Sequence, residues 1–275
     1  MTAQECPIGI FDSGLGGLTV QKEILKILPN ESTIYFGDSG RSPYGSKSKE
    51  SIIRFSSQIV RFLMENKVKM IVIACNTASA FAFDKVSAMA GVPVIEVVSP
   101  GAAAAVAASH NRRVGVIGTR GTVDSGVYDR AIKDASQQAV VTVISKACPL
   151  FVSLAEEGWW DHPVTRMVAS EYLVSLKESG IDTLVMGCTH YPLIEKAIAD
   201  EMGPDVTLIG SGAAVARTVQ VQLERLGLAN PVRGQATHQY FTSDSSTHFT
   251  QLGSAFLQQE IAEATHINIE QYPSD

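Results

Sequence analysis

Short runs of consecutive apolar residues, each closed by small or polar residues and followed by a helical pattern, set the first constraint on the fold. Ile8-Gly9-Ile10-Phe11 closes on Asp12-Ser13-Gly14-Leu15-Gly16-Gly17, Thr33-Ile34-Tyr35-Phe36 on Gly37-Asp38, and Met70-Ile71-Val72-Ile73-Ala74 on Cys75-Asn76-Thr77. A strand that is apolar on both faces must be covered on both. The intervening patterns supply helices for that cover, so the runs predict βαβ units and a parallel sheet. Leu18, Ile24, Leu25 and Leu28 mark one such helix, stopped by Pro29-Asn30. Ile52, Phe55, Ile59, Phe62 and Leu63 mark a longer one over 48–66, and an Ala-rich helix follows Cys75.

After a strand over Pro93–Val98 and an alanine-rich helix over Ala102–Ala108, the series begins again. Ile8-Gly9-Ile10-Phe11-Asp12-Ser13 matches Val114-Gly115-Val116-Ile117-Gly118-Thr119 at an offset of 106, and Val68 to Cys75 matches Ile181 to Cys188 at an offset of 113. Both halves thus contain a buried strand that ends on cysteine with threonine close behind. The length of 275 residues is about 1.8 times a common domain length of roughly 150. From about 212 the tail reads as a helix (Ala213–Leu226), a strand near Tyr240–Thr242, a helix near 246–258 and a strand over His266–Ile269, too little for a third core. The expected organisation is α/β, with two pseudo-symmetric, doubly wound domains and mainly parallel sheets. Residues 1–98 plus 212–275 would form the first domain and 99–211 the second, inserted one.

Cysteine usage narrows the chemistry. The four cysteines stand at 6, 75, 148 and 188, with no CxxC, which argues against a disulfide framework and a zinc ribbon. Cys75 and Cys188 each sit where a buried strand gives way to a helix, the end of a parallel strand at which ligands bind. There the positive end of the helix and free N–H groups favour a thiolate. Cys6 and Cys148 have no matched partner and read as structural. Two matched thiols suit a redox pair, a metal site or proton transfer at one carbon. The first usually needs CxxC, and the second has only His190 nearby. In the third, a thiolate takes a proton from one face while a thiol delivers one to the other.

Four blocks carry a family resemblance. Asp12-Ser13-Gly14-Leu15-Gly16-Gly17-Leu18-Thr19-Val20, Tyr35-Phe36-Gly37-Asp38 with Pro43-Tyr44-Gly45, Ile73-Ala74-Cys75-Asn76-Thr77-Ala78-Ser79-Ala80, and Met186-Gly187-Cys188-Thr189-His190-Tyr191-Pro192-Leu193 together resemble the glutamate racemases of the aspartate/glutamate racemase superfamily. The resemblance runs from residue 8 to about 257. It implies cofactor-independent interconversion of L- and D-glutamate, an active site in the cleft between two domains, no metal, a homodimer, and supply of D-glutamate for peptidoglycan in the bacterial cytoplasm. By the same resemblance Cys75 acts on the D-enantiomer and Cys188 on the L-enantiomer. Asp12 assists Cys75 near the substrate ammonium, and His190 with Glu156 assists Cys188, although Glu157 is a neighbouring carboxylate. Ser13, Tyr44, Gly45, Asn76, Thr77, Thr119, Thr189 and His190 hold the carboxylates and amine. One departure is Ser39-Gly40 after Asp38, where the family more often has Thr-Ala; altered loop packing is expected there. The rival readings are an aspartate or hydantoin racemase, and a non-catalytic amino-acid-binding module whose cysteines only pack. Cys-Thr-His rather than Cys-Thr-Glu at the second site favours glutamate.

The residue types fit that chemistry independently. The motif positions are hydroxyls, amides and helix-start N–H groups, which bind carboxylates well. Cations there would hold both cysteines as thiolates, whereas the reaction needs one thiol. The formal charge of 22 − 28 = −6, without a dense basic stretch, argues against a nucleic-acid partner. Met1–Pro7 lacks the pattern of a signal peptide and no run of 18 apolar residues occurs, so a cytoplasmic chain with no membrane partner is expected. Gly14-Leu15-Gly16-Gly17 lacks the third glycine of a dinucleotide loop and reads as a tight turn. Trp159 and Trp160 read as core or interface packing, and the remaining histidines as surface or capping groups.

Overall fold

The computed structural model describes residues 2–137 and 139–274. The chain divides into two compact units, Met1–Val97 with Gly212–Asp275, and Val98–Ser211. The first opens with β1 (Ile8–Asp12), α1 (Leu18–Ile27), β2 (Thr33–Gly37), α2 (Lys49–Glu65), β3 (Met70–Ile73), α3 (Asn76–Ala90) and β4 (Val94–Glu96). The second contains α4 (Val98–Ala108), β5 (Arg113–Gly118), α5 (Arg120–Asp124), α6 (Val127–Ala135), β6 (Thr142–Ala147), α7 (Leu150–Glu156), α8 (Pro163–Glu178), β7 (Thr183–Gly187), α9 (Glu195–Met202) and β8 (Thr207–Gly210). The chain then re-enters the first unit through α10 (Ser211–Arg225), β9 (His238–Thr242), α11 (Ser246–Leu257) and β10 (Thr265–His266).

Strand order is β10-β9-β2-β1-β3-β4 in the first sheet and β6-β5-β7-β8 in the second, and neighbouring strands run parallel throughout. Within each unit the strands are arranged second-first-third-fourth. The register extends the likeness: Phe11 pairs with Ile73 at the end of β1 and β3, and Ile117 with Met186 near the end of β5 and β7. β1, β2, β3 and β7 are buried along their whole length, as mostly apolar strands with both faces covered must be. In α2, Ile52, Phe55, Ile59, Phe62 and Leu63 form the buried face, and Ser48 caps its first turn by accepting the Ser51 N–H at 3.3 Å. His162 caps α8 in the same way, through Nδ1 and the Val164 N–H.

Two expectations need correction. The strand expected over Pro93–Val98 is confined to Val94–Glu96, because α4 begins at Val98 with Pro100 in its first turn, where a missing N–H costs nothing. The strand expected over His266–Ile269 is only the two-residue β10, after which the chain tightens into a 3₁₀ turn over Ile269–Gln271. Trp160 packs against the core of the second unit, and Trp159 is exposed beside the His162 ring.

At the amino ends of β2 and β3 lies a buried ion pair. Lys69 Nζ donates to Glu31 Oε2 at 2.5 Å and to the carbonyls of Gln4 and Leu228 at 2.6 and 2.9 Å. Glu31 Oε1 accepts the Asn230 N–H at 2.8 Å. Both side chains are at least 96% buried, so each charge depends on the other and on these main-chain partners. Lys69→Met is expected to cost about 3–5 kcal/mol by stranding the Glu31 charge, and Lys69→Met/Glu31→Leu to recover much of that loss. Urea unfolding at neutral pH checks both; equal losses in the single and double variants contradict the pairing.

Candidate active site

In the order second-first-third-fourth, the connection from the first strand and that from the third depart in opposite directions, and the carboxyl ends of these two strands flank the switch point, where a crevice is expected. In the first unit those ends carry Asp12 and Cys75; in the second they carry Thr119 and Cys188.

Asp12 is fully buried, and its Oδ2 accepts the Gly14 N–H at 2.9 Å. The turn that follows brings α1 hard against this carboxylate. A Cβ on Gly17 would lie 2.5 Å from Asp12 Cβ and 2.8 Å from the Tyr35 hydroxyl oxygen, so only glycine fits. Ser13 is buried beside Asp12. Tyr35, which the sequence did not single out, donates its hydroxyl to the Gly14 carbonyl at 2.9 Å. Burial pushes its phenol well above the ordinary value, and the negative charges of Asp12 and a Cys75 thiolate add to that push. Tyr35 is therefore a neutral wall behind this pair. A buried tyrosine on a central strand was its one sequence signal.

Cys75 occupies the cap position of α3, where its Sγ accepts the Ala78 N–H at 3.4 Å. The positive end of a 15-residue helix stabilises negative charge on that sulfur. Asn76 and Thr77 fill the first turn, both buried. Ser79 Oγ donates to the Cys75 carbonyl at 2.8 Å, fixing the strand-to-helix corner. Tyr44, also buried, donates its hydroxyl proton to Asp38, so that proton is already committed. Burial and the Asp38 charge raise the Tyr44 phenol well above its usual range. What Tyr44 and Gly45 can offer an anion is their main-chain N–H groups.

Cys188 is served differently. A single 3₁₀ turn, Tyr191–Ile194, comes before α9, so no long helix starts at this sulfur. Its neighbour is His190, with Nδ1 3.7 Å from Cys188 Sγ and Nε2 3.0 Å from Glu156 Oε1. Of the two adjacent carboxylates, Glu156 reaches the imidazole, while Glu157 lies exposed at the end of α7. Burial alone would lower the His190 pKa. The hydrogen bonds and negative charges of Cys188 and Glu156 outweigh it and hold the ring well above its ordinary 6.5. Thr119 caps α5 by accepting the Thr122 N–H at 3.2 Å, and Thr189 is buried beside Cys188.

Cys148 lies in the same buried cluster as Cys188, whereas Cys6 lies near the start of the chain. Cys148 is fully buried, and burial pushes its thiol up to about 12. Cys6 donates its thiol to the Thr2 carbonyl at 3.4 Å. Among the described residues no group of three or more His, Cys, Asp or Glu is placed to hold a metal ion. No described helix is long and apolar enough to cross a membrane.

Residues 13–219 match the Asp/Glu/Hydantoin racemase family. The glutamate racemase of Geobacter metallireducens is 47% identical over 96% of this chain and 97% of its own. That of Enterococcus faecalis is 42% identical over 98% of each. The crystal structure of glutamate racemase from Francisella tularensis in complex with D-glutamate aligns with a TM-score of 0.91 at 38% identity, covering 98% of this chain and 100% of that one. The chain belongs to the Asp/Glu/hydantoin racemase family. Within it the full-length likeness is to the glutamate racemases, and the protein is an isomerase of the racemase type.

A histidine with a raised folded pKa adds stability that is fully present below its unfolded value and is lost as pH rises through the folded one. For His190 that contribution is complete below about 6.5 and disappears through a midpoint well above it. Glu156→Gln removes one of the two groups holding the charge, so the His190 ring resonance, followed by NMR, should titrate at lower pH than in the wild type. An unchanged midpoint contradicts the assigned role of Glu156.

Proposed function

We propose that this chain interconverts L-glutamate and D-glutamate by proton transfer at Cα, with Cys75 and Cys188 as the two acid/base groups and no cofactor. The observation that carries the reading is that both cysteines end the third strand of the same four-strand order, one in each unit. The names of the full-length relatives support glutamate as the substrate.

Starting from D-glutamate, the Cys75 thiolate takes the α-proton, and the electron pair left on Cα spreads into the adjacent carboxylate. The Cys188 thiol then gives its proton to the opposite face. L-glutamate leaves with Cys75 as thiol and Cys188 as thiolate, and the reverse reaction starts from that state. The helix start at Cys75 and the charged His190 beside Cys188 would each stabilise a thiolate as it forms. Asp12 assists Cys75 near the substrate ammonium, and Glu156 acts on Cys188 through His190. Neutral donors at Ser13, Asn76, Thr77, Thr119 and Thr189, with the main-chain N–H groups of Tyr44 and Gly45, hold the carboxylates and amine. The α-proton is a very weak acid, so these pre-oriented donors must supply much of the transition-state stabilisation. The resemblance extends the reading to a cytoplasmic homodimer that supplies D-glutamate for peptidoglycan.

The test is incubation with each enantiomer of glutamate and aspartate in D₂O, following optical rotation and deuterium at Cα. Both glutamate enantiomers should racemise with α-deuteration, without added pyridoxal phosphate. Cys75→Ser and Cys188→Ser should each lower kcat by about 10²–10⁴-fold, the usual range for removing a general acid or base. Turnover that survives both changes sinks the two-thiol mechanism. Deuteration of aspartate alone reassigns the substrate, and glutamate binding without deuteration favours a binding module.

A further inference from the structure

The segment Asn268–Tyr272, where the sequence offers no motif, joins a chain of hydrogen bonds that ends at Tyr44. Asp38 is completely buried, and its carboxylate gathers several donors. Arg41 Nε lies 3.0 and 2.8 Å from its two oxygens, Ser243 Oγ donates to Oδ1 at 2.7 Å, and the Tyr44 hydroxyl donates to Oδ2. The Asp38 main-chain N–H in turn donates to the Asp12 carbonyl at 3.1 Å. One carboxylate thus ties Tyr44 to the loop that leaves β2, at the same end of the sheet as Asp12 and Cys75.

Arg41 is held from its far side by the C-terminal segment. Its Nη1 donates to Glu270 Oε1 at 3.0 Å and to Gln58 Oε1 at 2.5 Å. Gln58 Nε2 donates to Glu270 Oε2 at 3.3 Å and to the Tyr272 carbonyl at 2.9 Å. The guanidinium carbon sits 4.1 Å from the centroid of the Phe55 ring, against which Tyr44 also packs at 5.6 Å. Ile269 is buried in the core, and Tyr272 meets Phe62 edge-on, so the segment is seated by apolar contacts on both sides of Glu270. A guanidinium fork fixed at both ends transmits position as well as charge.

We propose that Glu270 is a positioning residue for substrate binding, which orients Arg41 so that Asp38 holds Tyr44, and with it the Tyr44–Gly45 main chain, in the geometry that receives a substrate carboxylate. This rests on the reading that Tyr44 and Gly45 bind glutamate. Glu270 touches neither Tyr44 nor the cysteines in this arrangement, and its influence passes through Arg41 and Asp38. Because binding precedes proton transfer and the cysteines are untouched, the effect belongs to KM and not to kcat.

The test is a double-mutant cycle of Glu270→Ala and Tyr44→Phe, with steady-state racemisation of both glutamate enantiomers and thermal unfolding measured in parallel. Glu270 is 60% exposed, so its replacement leaves the core intact. Glu270→Ala should raise KM by about two- to fivefold, the scale of a partly exposed ion pair, with kcat and Tm near the wild type. Glu270→Gln keeps an acceptor for Arg41 and should recover most of the loss. In the Tyr44→Phe background, Glu270→Ala should add little, because the chain of contacts is already cut. An unchanged KM in Glu270→Ala overturns the proposal, as do effects that multiply in the double variant, or a loss of kcat together with Tm. A wild-type chain that leaves glutamate without α-deuterium sinks the substrate reading itself, whereas wild-type turnover with any of those results overturns the Glu270 assignment alone.

Discussion

A parallel strand delivers its last residue to a place its neighbours cannot fill when the connections on its two sides depart in opposite directions. That constraint operates in each unit of this chain, between β1 and β3 and between β5 and β7. It explains why the polar residues with chemical potential follow directly on strands that are mostly apolar. Asp12, Cys75, Thr119 and Cys188 cannot lie further back, where the sheet is covered on both faces. After Cys75 and Thr119 a helix begins at the next residue, whereas a tight turn follows Asp12 and a 3₁₀ turn follows Cys188. The tightness at Gly17, where a methyl group would strike both Asp12 and Tyr35, is the local form of the same constraint.

The two cysteines share a topological place but not an electrostatic one. Cys75 takes its stabilisation from the main chain, through the Ala78 N–H and the start of α3. Cys188 has only a short turn ahead of it and relies on a side-chain relay, His190 to Glu156. A main-chain dipole does not titrate, whereas an imidazole does. His190 therefore gives the surroundings of Cys188 a titrating group of a kind that the main-chain cap of Cys75 does not supply, although both units follow the same strand order.

Much of this was legible in the residues. The short apolar runs bounded by glycine and small polar residues gave the strands that carry Asp12, Cys75, Thr119 and Cys188. The offsets of 106 and 113 reflect strands that prove to be topological equivalents. The edges were less legible. β6 and β8, at the margins of the second sheet, are exposed at their first residue and only half-buried beyond it, so Thr142–Ala147 and Thr207–Gly210 lack the continuous apolar signal and went unread. Glu156 and Glu157 could not be told apart, since their difference is one step around the end of α7. Asp38 and Arg41 have local partners, but their contacts with Ser243 and Glu270 bridge distant parts of the chain, and no local pattern announces a partner 205 or 229 residues away.

The ion pair between Lys69 and Glu31 also sets an order of events during synthesis. Its ammonium needs the Leu228 carbonyl and its carboxylate needs the Asn230 N–H, so the first unit cannot satisfy these charges until residue 230 has left the ribosome. The second unit is one contiguous stretch, Val98–Ser211, and its chain is complete before then. Domains fold as units as they emerge, and here the half that begins first is the half that must wait. The edge of β2 that β9 covers lacks its partner strand through that interval, and an uncovered strand edge is a template for pairing with another chain.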